Sequence, residues 1–263
     1  MRVIDAHMHY GTDRNVAAST CVPYLVHGEP DSVIRLLDEQ DASHGVLFPH
    51  DRRMSPPWDA DYDKANAEIG IAARRYPDRI IGVARIDPTF GKEHTQALID
   101  RYVGEWNCRG VKLVAGYDFY RPNDMRIMGP LLDKCEEYGL TVLMHSGDAP
   151  RDLPYLQAQA AKAYPKVTFQ LAHIGMHTFL WEAILACQEY PNIVVDMSQA
   201  YPFDIMTFIK NVSADRLLYG TDVPYQSPAV EQMKLKVIGL SDEDLEKVFW
   251  RNAVRVWGIE RTE

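Results

Sequence analysis

The feature that most constrains the fold of this chain is a regular succession of eight short apolar runs, separated by segments with helical periodicity. The runs cover residues 3–6, 45–48, 80–84, 110–114, 140–144, 167–171, 193–196 and 216–219. Their apolar residues are mostly consecutive instead of alternating with polar ones, which is typical of strands that are buried on both faces. Strands of this kind belong to parallel sheets covered by helices.

The segments between the runs predict helices over residues 31–42, 61–76, 93–106 and 125–138, and a final helix that ends at Trp257. Asp31 and Ser241 are candidate N-caps, and Pro130 suggests that the fourth helix begins near it. Alternation of strand and helix, eight times, predicts the α/β class and a single (β/α)8 TIM barrel, with residues 1–263 forming one domain. The structural alternative, an open doubly wound sheet, usually has fewer strands and a glycine-rich first turn, which is missing here.

Composition narrows the possible partners. The net charge is −9 and no basic block occurs, which argues against nucleic acid or an anionic membrane as a partner and leaves a small molecule. No secretion signal or membrane-length apolar run is visible. The four cysteines form no C-x-x-C pair and are expected to be thiols in a reducing cytoplasm. A homodimer is a possible assembly.

Five polar residues share one position in this pattern, the carboxyl end of a predicted barrel strand: His7, His9, His145, His173 and Asp222. In a TIM barrel these ends surround one opening, where active sites are built. Because residues i and i+2 of a strand point to the same side, His7 and His9 can present two imidazoles to one ion. With His145 and Asp222 they offer three nitrogens and one oxygen, which suits a catalytic Zn²⁺ site.

Each of these residues also has a structural interpretation. An H-x-H pair can arise by chance, a single histidine such as His145 is often a hydrogen-bonded core residue, and Asp222 can cap a turn. These explanations would have to hold five times, always at the end of a strand. The remaining histidines lack this placement and are interpreted as structural or surface residues: His27, His44, His50, His94 and His177.

Five motifs resemble those of the amidohydrolase-related family, the branch of the amidohydrolase superfamily with aminocarboxymuconate semialdehyde decarboxylase-like and lactonase-like enzymes. They are Ile-Asp-Ala-His-Met-His at 4–9, Gly-Val-Lys-Leu at 110–113, Met-His-Ser-Gly at 144–147, Ala-His-Ile-Gly at 172–175 and Tyr-Gly-Thr-Asp-Val-Pro at 219–224. The five motifs occur in the same order as in the family, and together they span nearly the whole chain. It implies one divalent ion, usually zinc, held by His7, His9, His145 and Asp222, with His173 and Asp222 as catalytic residues.

Lys112 leaves a second arrangement open. It ends the fourth predicted strand, where the two-metal branch of the superfamily carries a carbamylated lysine between two ions. The alternative is an unmodified lysine that binds substrate or pairs with Asp222. The flanking motifs resemble the one-metal branch, so we expect one ion.

The resemblance leaves three possible functions open. A hydrolase would open a lactone, ester or amide with a metal-bound hydroxide, and a non-oxidative decarboxylase would act on an aromatic or unsaturated acid. A catalytically silent barrel is disfavoured by the complete ligand set. We expect hydrolysis of a small substrate with a carboxylate, which loop arginines could bind bidentately: Arg52, Arg53, Arg121 and Arg151.

Overall fold

Eight parallel strands form the centre of the molecule, and each pairs with the next in chain order. The computed structural model describes residues 2–12, 20–50, 59 and 61–259. The strands are β1 (Ile4–Tyr10), β2 (His44–Pro49), β3 (Ile80–Arg85), β4 (Gly110–Leu113), β5 (Thr141–Met144), β6 (Phe169–Leu171), β7 (Ile193–Asp196) and β8 (Leu217–Leu218). Every predicted apolar run contains one of these strands or overlaps it.

Helices follow the strands and cover the outside of the sheet. They are α1 (Pro30–Glu39), α2 (Asp63–Arg75), α3 (Lys92–Trp106), α4 (Ala115–Asp118), α5 (Met125–Tyr138), α6 (Pro154–Ala163), α7 (Leu180–Glu189), α8 (Pro202–Asn211), α9 (Pro228–Ile238), α10 (Asp242–Glu246) and α11 (Asn252–Trp257). A π turn over residues 247–251 joins the last two into one continuous helical segment.

The predicted range 125–138 is confirmed, whereas the predicted N-cap at Asp31 and the suggested helix start near Pro130 were wrong. Helix α1 begins at Pro30 with Glu29 at the N-cap position, so Asp31 lies inside the first turn. There its negative charge interacts favourably with the positive end of the helix dipole. Helix α5 begins at Met125, because the side chain of Asp124 accepts a hydrogen bond from the backbone N–H of Arg126 and caps the helix well before Pro130. The predicted cap at Ser241 is confirmed.

The first and last strands meet and complete the barrel. The backbone N–H of Ala6 donates to the carbonyl of Tyr219 at 2.9 Å, and Met8 pairs in parallel with Val223 just beyond β8. Side chains from alternate strand positions fill the barrel interior together with Trp250 and Trp257 of the C-terminal helical segment. This contact between the first and last strands joins the eight strands into one ring, as predicted for a (β/α)8 TIM barrel.

An irregularity in β1 determines which of its side chains face the barrel interior. Ile4 and Ala6 pack in the inner core, whereas Met8 and Tyr10 pack in the outer core against the helices. The pairing register between β1 and β2 shifts between Asp5 and Met8, which marks a β-bulge. The bulge changes the alternation, so that His7 follows Ala6 and also faces inward, where its ring lies 4.9 Å from that of Phe48.

Among the described residues, no helix is long and apolar enough to cross a bilayer. Part of the long connection after β1, residues 13–19, lies outside the described residues.

The buried carboxyl group of Glu231 in α9 is expected to make the stability of the fold depend on pH. It is fully buried and binds Lys234 at 2.7 Å, and burial raises the pKa of its carboxyl group to about 7. Because this pKa lies above the ordinary value of 4.5, the unfolded state releases its proton first as pH rises. The stability that the protonated group contributes is therefore present below about pH 4.5 and is lost as pH rises to about 7.

Replacing Glu231 by Gln should remove this dependence. We expect the melting temperature of Glu231→Gln, relative to wild type, to be higher at pH 8 than at pH 5, by roughly 2–4 °C for each kcal/mol involved. Thermal unfolding followed by circular dichroism at the two pH values checks this. A difference that stays constant with pH would show that Glu231 does not titrate on unfolding.

Candidate metal centre

A cavity of about 210 Å³ opens at the carboxyl ends of the strands. Four of the five residues predicted at strand ends line it: His9, His145, His173 and Asp222. His7 is fully buried beneath them, and its ring lies 4.9 Å from that of His173. The structure thus brings all five predicted residues to one end of the barrel.

The closest association joins His7, His9 and Asp222. The Oδ1 atom of Asp222 lies 3.0 Å from Nε2 of His7 and 3.2 Å from Nε2 of His9. The Nε2 atom of His7 is buried and has no hydrogen-bond partner among the described residues, so its short distance to Asp222 is not a well-directed hydrogen bond. Two imidazole nitrogens and a carboxylate oxygen that converge in this way fit a cation between them.

The opposite nitrogen of each histidine ring is held by an acceptor. Nδ1 of His7 lies 2.9 Å from Oδ2 of Asp196, and Nδ1 of His9 lies 3.1 Å from the carbonyl oxygen of Pro49. An acceptor at Nδ1 keeps the proton there and leaves the Nε2 lone pair for a metal ion. Burial lowers the pKa of His9 to about 4, so that ring is neutral, as a metal ligand must be.

The loop after β8 is fixed to β1, which places Asp222 beside His7. Both the backbone N–H and the hydroxyl of Thr221 donate to the carboxylate of Asp5, at 3.0 and 2.6 Å. The preceding residue must be small, because a Cβ atom at Gly220 would lie 2.8 Å from Cβ of His7. Gln199 donates to the second oxygen of Asp222. Although burial opposes it, contact with the two histidines holds the pKa of Asp222 well below its usual range.

His145 and His173 form a second pair in the same cavity. Nε2 of His173 lies 3.1 Å from Nδ1 of His145, whose other nitrogen lies 2.8 Å from Asp148. In this arrangement His145 is not part of the group formed by His7, His9 and Asp222. His173 belongs to a second potential group with His7 and Asp196, but Asp196 is already engaged by His7, Gln170 and Ser198. His145 stays a predicted ligand. To bind the ion, its ring would have to give up its contact with His173.

The residue that the sequence reasoning missed most clearly is Asp196, which orients His7. It ends β7, the same position that identified the predicted ligands, and the rule that selected them could have found it. Although burial opposes it, contact with His7 holds the pKa of Asp196 below its usual range. His50 was interpreted as structural, yet its ring stacks on His9 with centroids 5.7 Å apart.

Among the described residues, the cations that line the cavity differ from the predicted loop arginines. Arg121 and Arg151 do not line it, and Arg52 and Arg53 lie outside the described residues. Lys112 in β4 and Arg85 at the end of β3 do line it. Burial lowers the pKa of Lys112 to about 7.

Asp196→Asn should weaken metal binding without removing a ligand. An amide in this position can donate to Nδ1 of His7 and thereby favour the wrong tautomer, and loss of such a supporting carboxylate typically costs about 10–100-fold in metal affinity. Competition with a chelator of known affinity measures the change. Unaltered affinity in Asp196→Asn would contradict the assignment of His7 as a ligand.

Comparisons with known proteins identify the family of the chain. A family model described as Amidohydrolase matches residues 4–259. No curated protein matches the chain. Among solved structures, 2,6-dihydroxybenzoate decarboxylase from Rhizobium is 14% identical with a TM-score of 0.76, and the alignment covers 98% of this chain and 99% of that one.

Two further structures bound small acids. The 5-carboxyvanillate decarboxylase from Novosphingobium aromaticivorans, complexed with manganese and 4-hydroxy-3-methoxy-5-nitrobenzoic acid, is 16% identical with a TM-score of 0.74, over 97% of this chain and 96% of that one. A probable 2-pyrone-4,6-dicarboxylic acid hydrolase from Acinetobacter baumannii with citric acid bound is 18% identical with a TM-score of 0.72, over 98% and 100%. Similarity at this level of identity shows the fold, and the family match over 4–259 carries the assignment. The chain belongs to the amidohydrolase family of metal-dependent enzymes.

Proposed function

We propose that this protein is a metal-dependent hydrolase of a small carboxylate-bearing substrate, a lactone, ester or amide. One divalent ion, Zn²⁺ by preference, is held by His7, His9, His145 and Asp222. The observation that carries the proposal is the convergence of two histidine Nε2 atoms on Oδ1 of Asp222, at 3.0 and 3.2 Å. Such an ion supplies a Lewis acid that polarises a carbonyl and makes water nucleophilic near neutral pH.

Asp222 is suited to accept a proton from the attacking water. It is ionised, it faces the cavity, and its two oxygens are oriented by different partners, the histidines on one side and Gln199 on the other. A carboxylate held in this way loses little freedom when it takes up a proton and passes it to the leaving group.

His173 is suited to act as a second acid-base group. The hydroxyl of Ser198 donates to Asp196, so its oxygen accepts the Nδ1 proton of His173 at 2.9 Å. This leaves Nε2 as the basic nitrogen at the cavity. Burial holds the pKa of His173 well below its usual value, so the ring is neutral in the free protein.

The size and charge of the cavity support a small acid as substrate. A volume of about 210 Å³ accommodates a compact molecule, and among the described residues the basic side chains of Lys112 and Arg85 line the cavity in a chain of net charge −9. Related structures from the family's fold carry small carboxylic acids, as described above. We therefore favour a small lactone or ester over a peptide.

Decarboxylation of an aromatic or unsaturated acid is the second candidate. It is favoured by the position of Lys112 in β4, because a carboxylate bound there would lie inside the cavity instead of at its rim. A decarboxylase needs the carboxylate at the reacting centre, whereas a hydrolase can leave it bound and unchanged.

A panel of lactones and hydroxybenzoates, assayed with metal-loaded protein, separates the two reactions. The proposal predicts release of acid from at least one lactone or ester, without carbon dioxide. Release of carbon dioxide from any hydroxybenzoate at a useful rate, with no lactone opened, would replace hydrolysis by decarboxylation. The variant His173→Ala, assayed in parallel, identifies activity that does not come from this cavity.

A further inference from the structure

Lys112 presents a buried amino group to the cavity. It lies in β4, only 1% of its surface is exposed, and it is one of the residues that line the cavity. Its Nζ atom lies 4.6 Å from the centre of the Phe48 ring, a contact that accommodates a cation on one side. Nζ has no hydrogen-bond partner within the part of the chain that the structure describes. A buried ammonium group without an acceptor is unfavourable, so an acceptor from the cavity would stabilise it.

The acidic groups around Lys112 form no direct ion pair with it in the described part of the chain. Asp222, Asp196 and Asp152 attract the ammonium, but each carboxylate is oriented by other donors. Asp222 faces His7, His9 and Gln199, while Asp196 is held by His7, Gln170 and Ser198. Asp152 accepts the backbone N–H of Gly116 at 2.9 Å. The charge of Lys112 is thus not neutralised by a direct ion pair with these groups.

Arg85, the other basic strand residue of the cavity, differs in this respect. Its guanidinium forms an ion pair with Asp118 at 2.6 Å and donates to the hydroxyl of Tyr62 at 3.1 Å and to the carbonyl of Ile86 at 3.2 Å. Its charge is therefore balanced within the protein, and it supports the wall of the cavity. The ammonium of Lys112 is the better placed of the two to bind an anion that enters.

From this geometry we infer that Lys112 binds the carboxylate of the substrate and thereby determines that the substrate is a small acid. The inference rests on the proposed function and extends it to the class of substrate. Lys112 and the group formed by His7, His9 and Asp222 contribute to one cavity from different strands. A substrate anchored by its carboxylate on Lys112 would present its reacting bond to that group, and the carboxylate would stay unchanged.

The test compares the binding of benzoate and benzamide, which are similar in shape and differ in the carboxylate. Their affinities for metal-loaded protein are measured by calorimetry for wild type, Lys112→Met and Lys166→Met. Methionine keeps the length of the lysine chain and removes the charge. Lys166 lies on the surface, 80% exposed and paired with Glu136, so its substitution is a control with the same change in net charge.

We expect wild type and Lys166→Met to prefer benzoate over benzamide to the same degree. In Lys112→Met this preference should fall by about tenfold or more, because the variant loses a charge-assisted hydrogen bond. A preference that changes by less than about twofold would overturn the inference. Loss of the preference with no hydrolysis of any lactone would support the role of Lys112 and reject the proposed reaction.

A crystal structure of the wild-type protein with benzoate gives an independent answer, also if Lys112→Met does not fold. A carboxylate within hydrogen-bond distance of Nζ supports the inference. A carboxylate bound away from Lys112 overturns it. Electron density for a carbamate on Nζ also overturns it, because a carbamylated lysine is anionic and repels the carboxylate.

Discussion

Asp222→Asn and His7→Ala are expected to lose bound metal and activity together. Each substitution removes or weakens a ligand at the point where the two Nε2 atoms and Oδ1 converge within 3.0–3.2 Å. The loss of metal affinity should exceed the roughly 10–100-fold that removal of a supporting residue causes. Elemental analysis of the purified variants, together with the lactone assay, measures both effects.

The control for these variants is His27→Ala. His27 is exposed and lies apart from the residues that line the cavity, so the substitution should leave metal content and activity unchanged. Circular dichroism checks that all variants are folded. If Asp222→Asn or His7→Ala retained full metal content, the proposed ligand set would be wrong.

His173→Ala is expected to lose activity while keeping most of the metal. We assign His173 to proton transfer, a role whose loss typically costs about 10²–10⁴-fold in rate. Its Nε2 atom faces His145 and the cavity, and its Nδ1 atom is fixed by Ser198. The rate of lactone opening and the metal content, measured on one preparation, separate catalysis from binding.

Metal loss in His173→Ala equal to that in His7→Ala would contradict this assignment. It would favour a second ion held by His145 and His173. In that case the two-metal arrangement, with Lys112 carbamylated, would become the leading one.

The barrel and the location of the candidate site could be predicted because both depend on short sequence patterns. Apolar runs of four or five residues are sufficient to mark buried parallel strands, and a polar residue at the end of such a run must face the opening. The position at strand ends was therefore sufficient to predict a common location for five residues without any knowledge of loop structure: His7, His9, His145, His173 and Asp222.

The details that support the site depend on contacts that a sequence pattern does not contain. The bulge in β1 turns Ala6 and His7 inward in succession, although the ordinary alternation of a strand would place them on opposite sides. The position of Asp196 under His7 depends on how β7 faces β1 across the barrel. No spacing within one strand predicts such a contact.

The prediction for the loop arginines failed for a different reason, because residue type was given more weight than position in the fold. Arg121 and Arg151 were expected to hold a carboxylate because they follow strands, but neither lines the cavity. Arg151 instead packs over the ring of Phe119, at 5.3 Å. Lys112 and Arg85 lie within strands, and the side chain of a strand residue has a fixed direction that a loop residue lacks.

The most direct test of the account is a crystal structure of the metal-loaded protein with anomalous diffraction data collected at the absorption edge of the metal. The account predicts one anomalous peak, within coordination distance of His7, His9, His145 and Asp222, with His145 turned from His173 toward the ion. A peak elsewhere, or two peaks bridged by a modified Lys112, would contradict it.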